Sequence, residues 1–173
     1  MDVYRKIRGT HKKEVGLRLK EVDIDGDTVK LAHEKAKKLG VVSRSITKGE
    51  GNIVGFIGEH LAQSVYGGEL INTFKYDLVL PDGRRIDVKT KRTGYLPKPE
   101  YDCSVTDFQI DYDCDGYIFV RVLNDYQKGW VLGCIDKKAF KDNSTFHKKG
   151  DREGGFVFKH SCYNVKISQL VAP

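Results

Sequence analysis

The 173-residue chain has no run of about 18 apolar residues, the length that a membrane-spanning helix requires. Its basic start, MDVYRKIRGTHKKEVG, has no apolar stretch behind it, so it does not read as a secretory signal. The expectation is a cytoplasmic protein with no membrane partner. Cysteine is sparse: Cys103, Cys114, Cys134 and Cys162 stand far apart without a CxxC pair, which argues against a zinc ribbon and against a dense disulfide framework. Reduced thiols are expected. His147, His160 and Cys162 lie near one another in the chain, but no second close pair accompanies them and zinc is not assigned. Repeats and low-complexity segments are lacking too, which leaves one ordinary globular domain.

What the sequence does have is charge. Thirty Lys and Arg against 24 Asp and Glu leave a net charge of +6, a balance that favours polyanionic partners without requiring them. The basic residues crowd into RKIRGTHKK, RLK and KAKK within residues 1–48, while residues 100–125 are acidic. This segment reads as a basic N-terminal extension packed on a core of residues 49–173. Lys12 and Lys13 are candidates for phosphate contacts, which position a nucleic acid without reading its sequence. A solvated basic face is the plainer alternative.

Helical spacing of Val29, Ala32, Ala36 and Leu39 predicts a helix from Thr28, capped by Asp27 and ended by Gly40. GNIVGFIGEHLAQSVYGG predicts a second, with Ile53, Phe56, Ile57, Leu61 and Val65 on its apolar side. ELINTF, KYDLVL, RRIDVKT, GYIFVRVL, GWVLGCI, FVFKH and YNVKI read as strands. SVTDFQIDY and DKKAFKD read as short helices, and GYLPKPEYD as a loop. The order predicts an α/β domain around a mixed central sheet flanked by helices.

The chemistry concentrates in YDLVLPDGRRIDVKTKR. Pro81-Asp82-Gly83 fits a three-residue hairpin loop, with proline opening a type I turn and glycine in the left-handed position. That register sets Leu80 against Arg84 and Asp77 against Asp87, with β-carbons roughly 5 Å apart. Lys89 shares the face of Asp87, while Ile86 and Val88 point into the core. Adjacent carboxylates repel, and a divalent cation such as Mg²⁺, with Mn²⁺ as substitute, would compensate them. Lys89 would then orient a water or steady charge on a phosphate. The alternative is a surface hairpin whose outward acids are balanced by Lys75 and Lys91.

Asp77, nine residues, then Asp87-Val88-Lys89 resembles the signature of the PD-(D/E)XK nuclease superfamily, and GFIGEHLAQ resembles that family's first core helix. FQIDYDCDGYIFVRVL and GWVLGCI are similar to its next helix and strands, so the likeness spans roughly residues 50–135. It implies a restriction-endonuclease-like core. It also implies a metal held by Asp77, Asp87, the Val88 carbonyl and Glu59, with Lys89 acting on the attacking water. Glu50 is a competing acid at the helix start, Gln63 a supporting residue, and Lys91 and Arg92 candidates for phosphate contact. Tyr76 stands where the family often has proline. Gln109 and Tyr112 are one residue too close for the Gln-x-x-x-Tyr motif of the family's exonuclease subset.

DYDCDG at 111–116 opens like a calcium loop but has Val122 where a carboxylate is required, and DIDGDTVKLAHE has Thr28 where glycine belongs. Both read as acidic turns. Trp130, Tyr126 and Tyr117 could stack on bases, with core packing favoured for Trp130. The functional expectation is a divalent-metal-dependent deoxyribonuclease, an endonuclease with DNA as partner and a second copy of the chain as a possible one. A junction-resolving or repair nuclease and a non-catalytic binding module on the same scaffold are the alternatives.

Overall fold

A computed structural model describes residues 18–39, 50–71 and 73–173. Lys12, Lys13 and Gly40 lie outside the described residues, as do residues 1–17 and 40–49 and the side chain of Glu50. The elements are β1 (Lys20–Asp23), α1 (Gly26–Leu39), α2 (Glu50–Tyr66), β2 (Glu69–Leu70), β3 (Leu78–Val79), β4 (Arg85–Thr93) and β5 (Asp102–Thr106). There follow β6 (Gly116–Leu123), β7 (Lys128–Asp136), α3 (Lys137–Asn143), β8 (Thr145–His147), β9 (Arg152–Glu153), β10 (Phe156–Val157) and β11 (Cys162–Lys166).

Six strands form a mixed sheet in the order β1-β7-β6-β4-β3-β2, in which β4 runs parallel to β6 and the other pairs are antiparallel. Alternation along the central strands feeds two cores. Ile86 and Val88 of β4 and Ile118, Val120 and Val122 of β6 pack with Ala32 of α1 and Val54, Ile57, Leu61 and Ala62 of α2. Tyr117 and Phe119 point the other way, toward Cys103 and Val105 of β5, Phe140 of α3 and Val165 of β11. On that second face a small sheet, β5-β11-β8, lies over the main one. Trp130 is core, as favoured, with 5% exposure, and its indole N–H donates to Glu21 Oε2 at 3.0 Å.

Three local expectations need correction. Asp25, not Asp27, caps α1: its Oδ1 accepts the Thr28 N–H at 2.7 Å, because the helix begins at Gly26 rather than Thr28. Helix does not run through SVTDFQIDY. Ser104, Val105 and Thr106 end β5, which pairs along β11 from Asp102↔Lys166 to Thr106↔Cys162. That pairing buries Cys103 and Val105 on one face, a period-two pattern that the sequence window offers as readily as a helical one. Only a short turn follows, with the Gln109 and Ile110 N–H groups both donating to the Thr106 carbonyl. Gln63 does not support the acids either; its side-chain NH₂ donates to the Gly68 carbonyl at 3.1 Å and closes the end of α2.

The hairpin forms as the turn residues dictate. Leu80 N–H donates to the Arg84 carbonyl and Gly83 N–H to the Leu80 carbonyl, each at 2.9 Å, with Gly83 at φ 87°. The ladder pairs Leu78 with Ile86 and Val79 with Arg85, the expected register. The acids of DYDCDG hold this strand in place: Asp115 Oδ2 accepts from the backbone and side-chain N–H groups of Arg85 at 2.8 and 3.1 Å, and Asp113 pairs with its guanidinium at 2.8 Å.

Candidate active site

β3 stops at Leu78, and beyond it the side chain of Asp77 takes over the pairing. Its backbone N–H donates to the Ile86 carbonyl at 2.9 Å, shifting the ladder by one residue, and its carboxylate Oδ2 accepts the Val88 N–H at 2.8 Å. A regular backbone pair of Asp77 with Asp87 is therefore replaced by a side-chain link one residue further along. Within a strand the N–H and C=O of one residue face the same edge. The Val88 carbonyl accordingly lies on the edge that Asp77 occupies.

Asp87 is 6% exposed and, with Asn164, one of two buried polar side chains among the described residues. Lys89 Nζ lies 2.8 Å from Asp87 Oδ2. That oxygen nevertheless accepts no hydrogen bond. The contact is therefore an ion pair without the alignment of a charge-assisted hydrogen bond. The directed bond of Lys89 goes to Gln109 Oε1 at 3.0 Å, which also accepts from Thr106 Oγ1 at 2.8 Å.

Glu59 reaches this edge from α2. The helix can come so close to β4 because residue 58 is glycine: a β-carbon there would stand 1.8 Å from Thr90 Oγ1. Burial raises the Glu59 pKa to about 7, with the Lys35 charge opposing and that of Asp87 adding to the rise. Burial, then the charges of Asp87 and Glu59, push the Asp77 carboxyl well above its usual range, against the pull of the Val88 N–H and Lys89. Three carboxylates thus share one field, opposed by Lys89 at Asp77 and Asp87 and by Lys35 at Glu59.

Among the described residues no three His, Cys, Asp or Glu side chains converge tightly enough to hold a metal ion by themselves. The donor chemistry still suits a hard divalent cation. All the groups offer oxygen, Asp87 Oδ2 is buried without a hydrogen bond, and the mutual repulsion of the acids is what such an ion relieves. Mg²⁺ commonly takes one or two carboxylates and completes its shell with waters and phosphate oxygens, so a ready three-acid cage is not required.

Other expected residues fall elsewhere. Lys91 shares the Lys89 face, and its Nζ donates to Ser104 Oγ at 2.7 Å. Arg92 points to the opposite face, where its guanidinium stacks 5.3 Å from the Tyr126 ring centroid and donates to the Asn124 carbonyl. His147 stands beside Cys162 in the β8–β11 ladder but stacks on Phe158 at 4.2 Å. All four cysteines are free. Gln109 and Arg121 were not identified as site residues from sequence. The signal for Arg121 was its charge within the apolar strand GYIFVRVL; Gln109 offered none apart from the near-motif. Compared with known proteins, the sequence matches no family model and no curated protein.

Proposed function

We propose that this chain is a divalent-metal-dependent deoxyribonuclease, an endonuclease with a restriction-endonuclease-like core, that hydrolyses phosphodiester bonds in DNA. The observation that carries the reading is the edge of β4, where Asp77 links to Val88 while Lys89 stands 2.8 Å from the buried Asp87. The element order α2, β3–β4 hairpin, then β6 parallel to β4 supports the same core. Asp77, Asp87, the Val88 carbonyl and Glu59 would hold Mg²⁺ or Mn²⁺. When bound, the cation supplies Lewis acidity toward the phosphate and toward water. The Lys89 ammonium, steadied by Gln109, faces the position where negative charge grows on phosphorus and orients the attacking water. DNA is the proposed partner, with a second copy of the chain as a further one. Among the described residues no helix is long and apolar enough to cross a membrane.

The test is cleavage of duplex, single-stranded and four-way DNA by purified protein in Mg²⁺ or Mn²⁺ and in EDTA, alongside Asp77→Asn, Asp87→Asn and Lys89→Met. Metal-dependent cleavage lost in all three folded variants is expected. Preference for the four-way substrate would mark a structure-selective enzyme. Equal cleavage by wild type and variants, or binding without any turnover, would overturn the catalytic assignment.

A further inference from the structure

A second cavity wall begins where the acids end. Lys89 closes one side of a cavity of about 170 Å³ between β4, β5 and β6, floored by the apolar side chains of Phe119 and Leu132. One water needs only about 10–15 Å³ of such space, so a polyatomic anion fits with waters to spare. The cavity's charged lining is predominantly cationic: Lys89, Lys91 and Arg121 face it, with Lys91 directly opposite Arg121 in the parallel β4–β6 register. Its one acid, Asp102, is engaged by Lys166 Nζ at 2.7 Å.

Neither Lys91 nor Arg121 has a carboxylate partner among the described residues. Their bonds go to neutral oxygens, Lys91 to Ser104 Oγ and Arg121 Nη2 to the Asp102 carbonyl at 2.8 Å. Lys91 is exposed as a residue, yet its ammonium end is drawn inward. Burial and the Arg121 charge together lower its pKa, and burial lowers that of Arg121. Two repelling cations that still have N–H groups to give describe an anion site. Gln109, whose oxygen is taken by Lys89 and Thr106, has only its NH₂ left to offer to the same space.

We propose that this cavity is a phosphate-binding subsite that receives a phosphoryl group of the nucleic acid next to the one being attacked, with Lys89 shared between the two. The identity of the strand rests on the nuclease reading; binding of the anion does not. The subsite and the acids are complementary halves, the subsite short of negative charge and the acids short of positive.

The probe is inorganic phosphate, titrated calorimetrically in EDTA into wild type, Lys91→Met, Arg121→Lys and, as a control outside the cavity lining that matches the charge loss of Lys91→Met, Lys159→Met. Wild type and Lys159→Met should bind saturably, and the two cavity variants about tenfold more weakly, the loss of one charge-assisted contact. Should the cavity variants fail to fold, slower amine labelling of wild-type Lys91 in phosphate, measured by mass spectrometry against Lys159, gives the same answer. Single strands with a 5′ phosphate, a 3′ phosphate or neither, compared in EDTA, separate the sources. Tighter binding of one phosphorylated end identifies a terminal monoester, and equal binding with equal loss in Lys91→Met an internal diester. No saturable phosphate binding, or cavity variants that match Lys159→Met, would overturn the subsite. Phosphate binding in a protein that never cleaves DNA would remove the nuclease reading and leave the subsite standing.

Discussion

Raising the pH from about 5 to about 8 in EDTA should weaken the folded protein, and Glu59 should carry much of the loss. The native state holds the Glu59 proton more tightly than the unfolded chain does, since its pKa stands at about 7 instead of the ordinary 4.5. That contribution is complete below about 4.5 and disappears as the pH climbs through about 7. The displacement corresponds to on the order of 3 kcal/mol, and Asp77 acts in the same direction. Urea denaturation at several pH values, for wild type and Glu59→Gln, isolates the contribution of this one carboxyl. Glu59→Gln should be the more stable protein above neutrality and show a flatter pH slope. Mg²⁺ should offset the loss, and more strongly at high pH, because only ionised carboxylates hold the cation. Parallel pH curves for wild type and Glu59→Gln in EDTA would refute the burial that raises the Glu59 pKa. A Mg²⁺ stabilisation that is the same at low and high pH would refute the shared cation.

Gly58→Ala should destabilise the fold by roughly 1–3 kcal/mol in urea titration, because its methyl would meet Thr90 Oγ1 at 1.8 Å and force α2 off β4. Cleavage should fall further than stability alone explains, as Glu59 moves with the helix. Asp25→Ala should lower the thermal-unfolding midpoint, and Asp27→Ala should lower it less, since only Asp25 accepts the Thr28 N–H. Gln109→Ala should leave the fold intact and slow cleavage by about 10-fold to 100-fold with a displaced pH–rate profile, because Lys89 loses the oxygen that aims it. Restoration of the rate by Gln109→Glu would support a positioning role, and an unchanged pH profile would refute it.

The β4 face was legible because everything that sets it is local. Pro81 and Gly83 fix the turn, the turn fixes the register, and alternation then puts Asp87 and Lys89 together and sends Ile86 and Val88 to the core. The link from Asp77 to Val88 was not legible, since it depends on β3 ending after two residues, a matter of sheet packing. β5 was misread for a related reason. Its partner β11 lies about sixty residues away, and nothing within SVTDFQIDY decides between a helical and an extended period. The phosphate cavity was the least accessible of all, because Lys91, Ser104 and Arg121 meet only after the parallel β4–β6 crossover and the overlying β5 are in place. Its sequence traces were Lys91, a candidate for phosphate contact, and an arginine in an otherwise apolar strand.

The short β3 has a consequence for solubility as well. β4 runs for nine residues, and beyond Ile86 no strand among the described residues pairs with it on the β3 side. Open edges of that kind are templates on which a strand from another molecule docks and starts aggregation. Here the carboxylate of Asp77 already holds the Val88 N–H, and an incoming strand would have to displace it and bury Asp87 and Lys89 beneath its own backbone. The acids read as catalytic therefore also insulate the sheet from its neighbours. Removing them to silence the chemistry exposes an edge at the same time, and substitutions to asparagine, which keep a polar side chain at the gap, preserve more of that protection than alanine does.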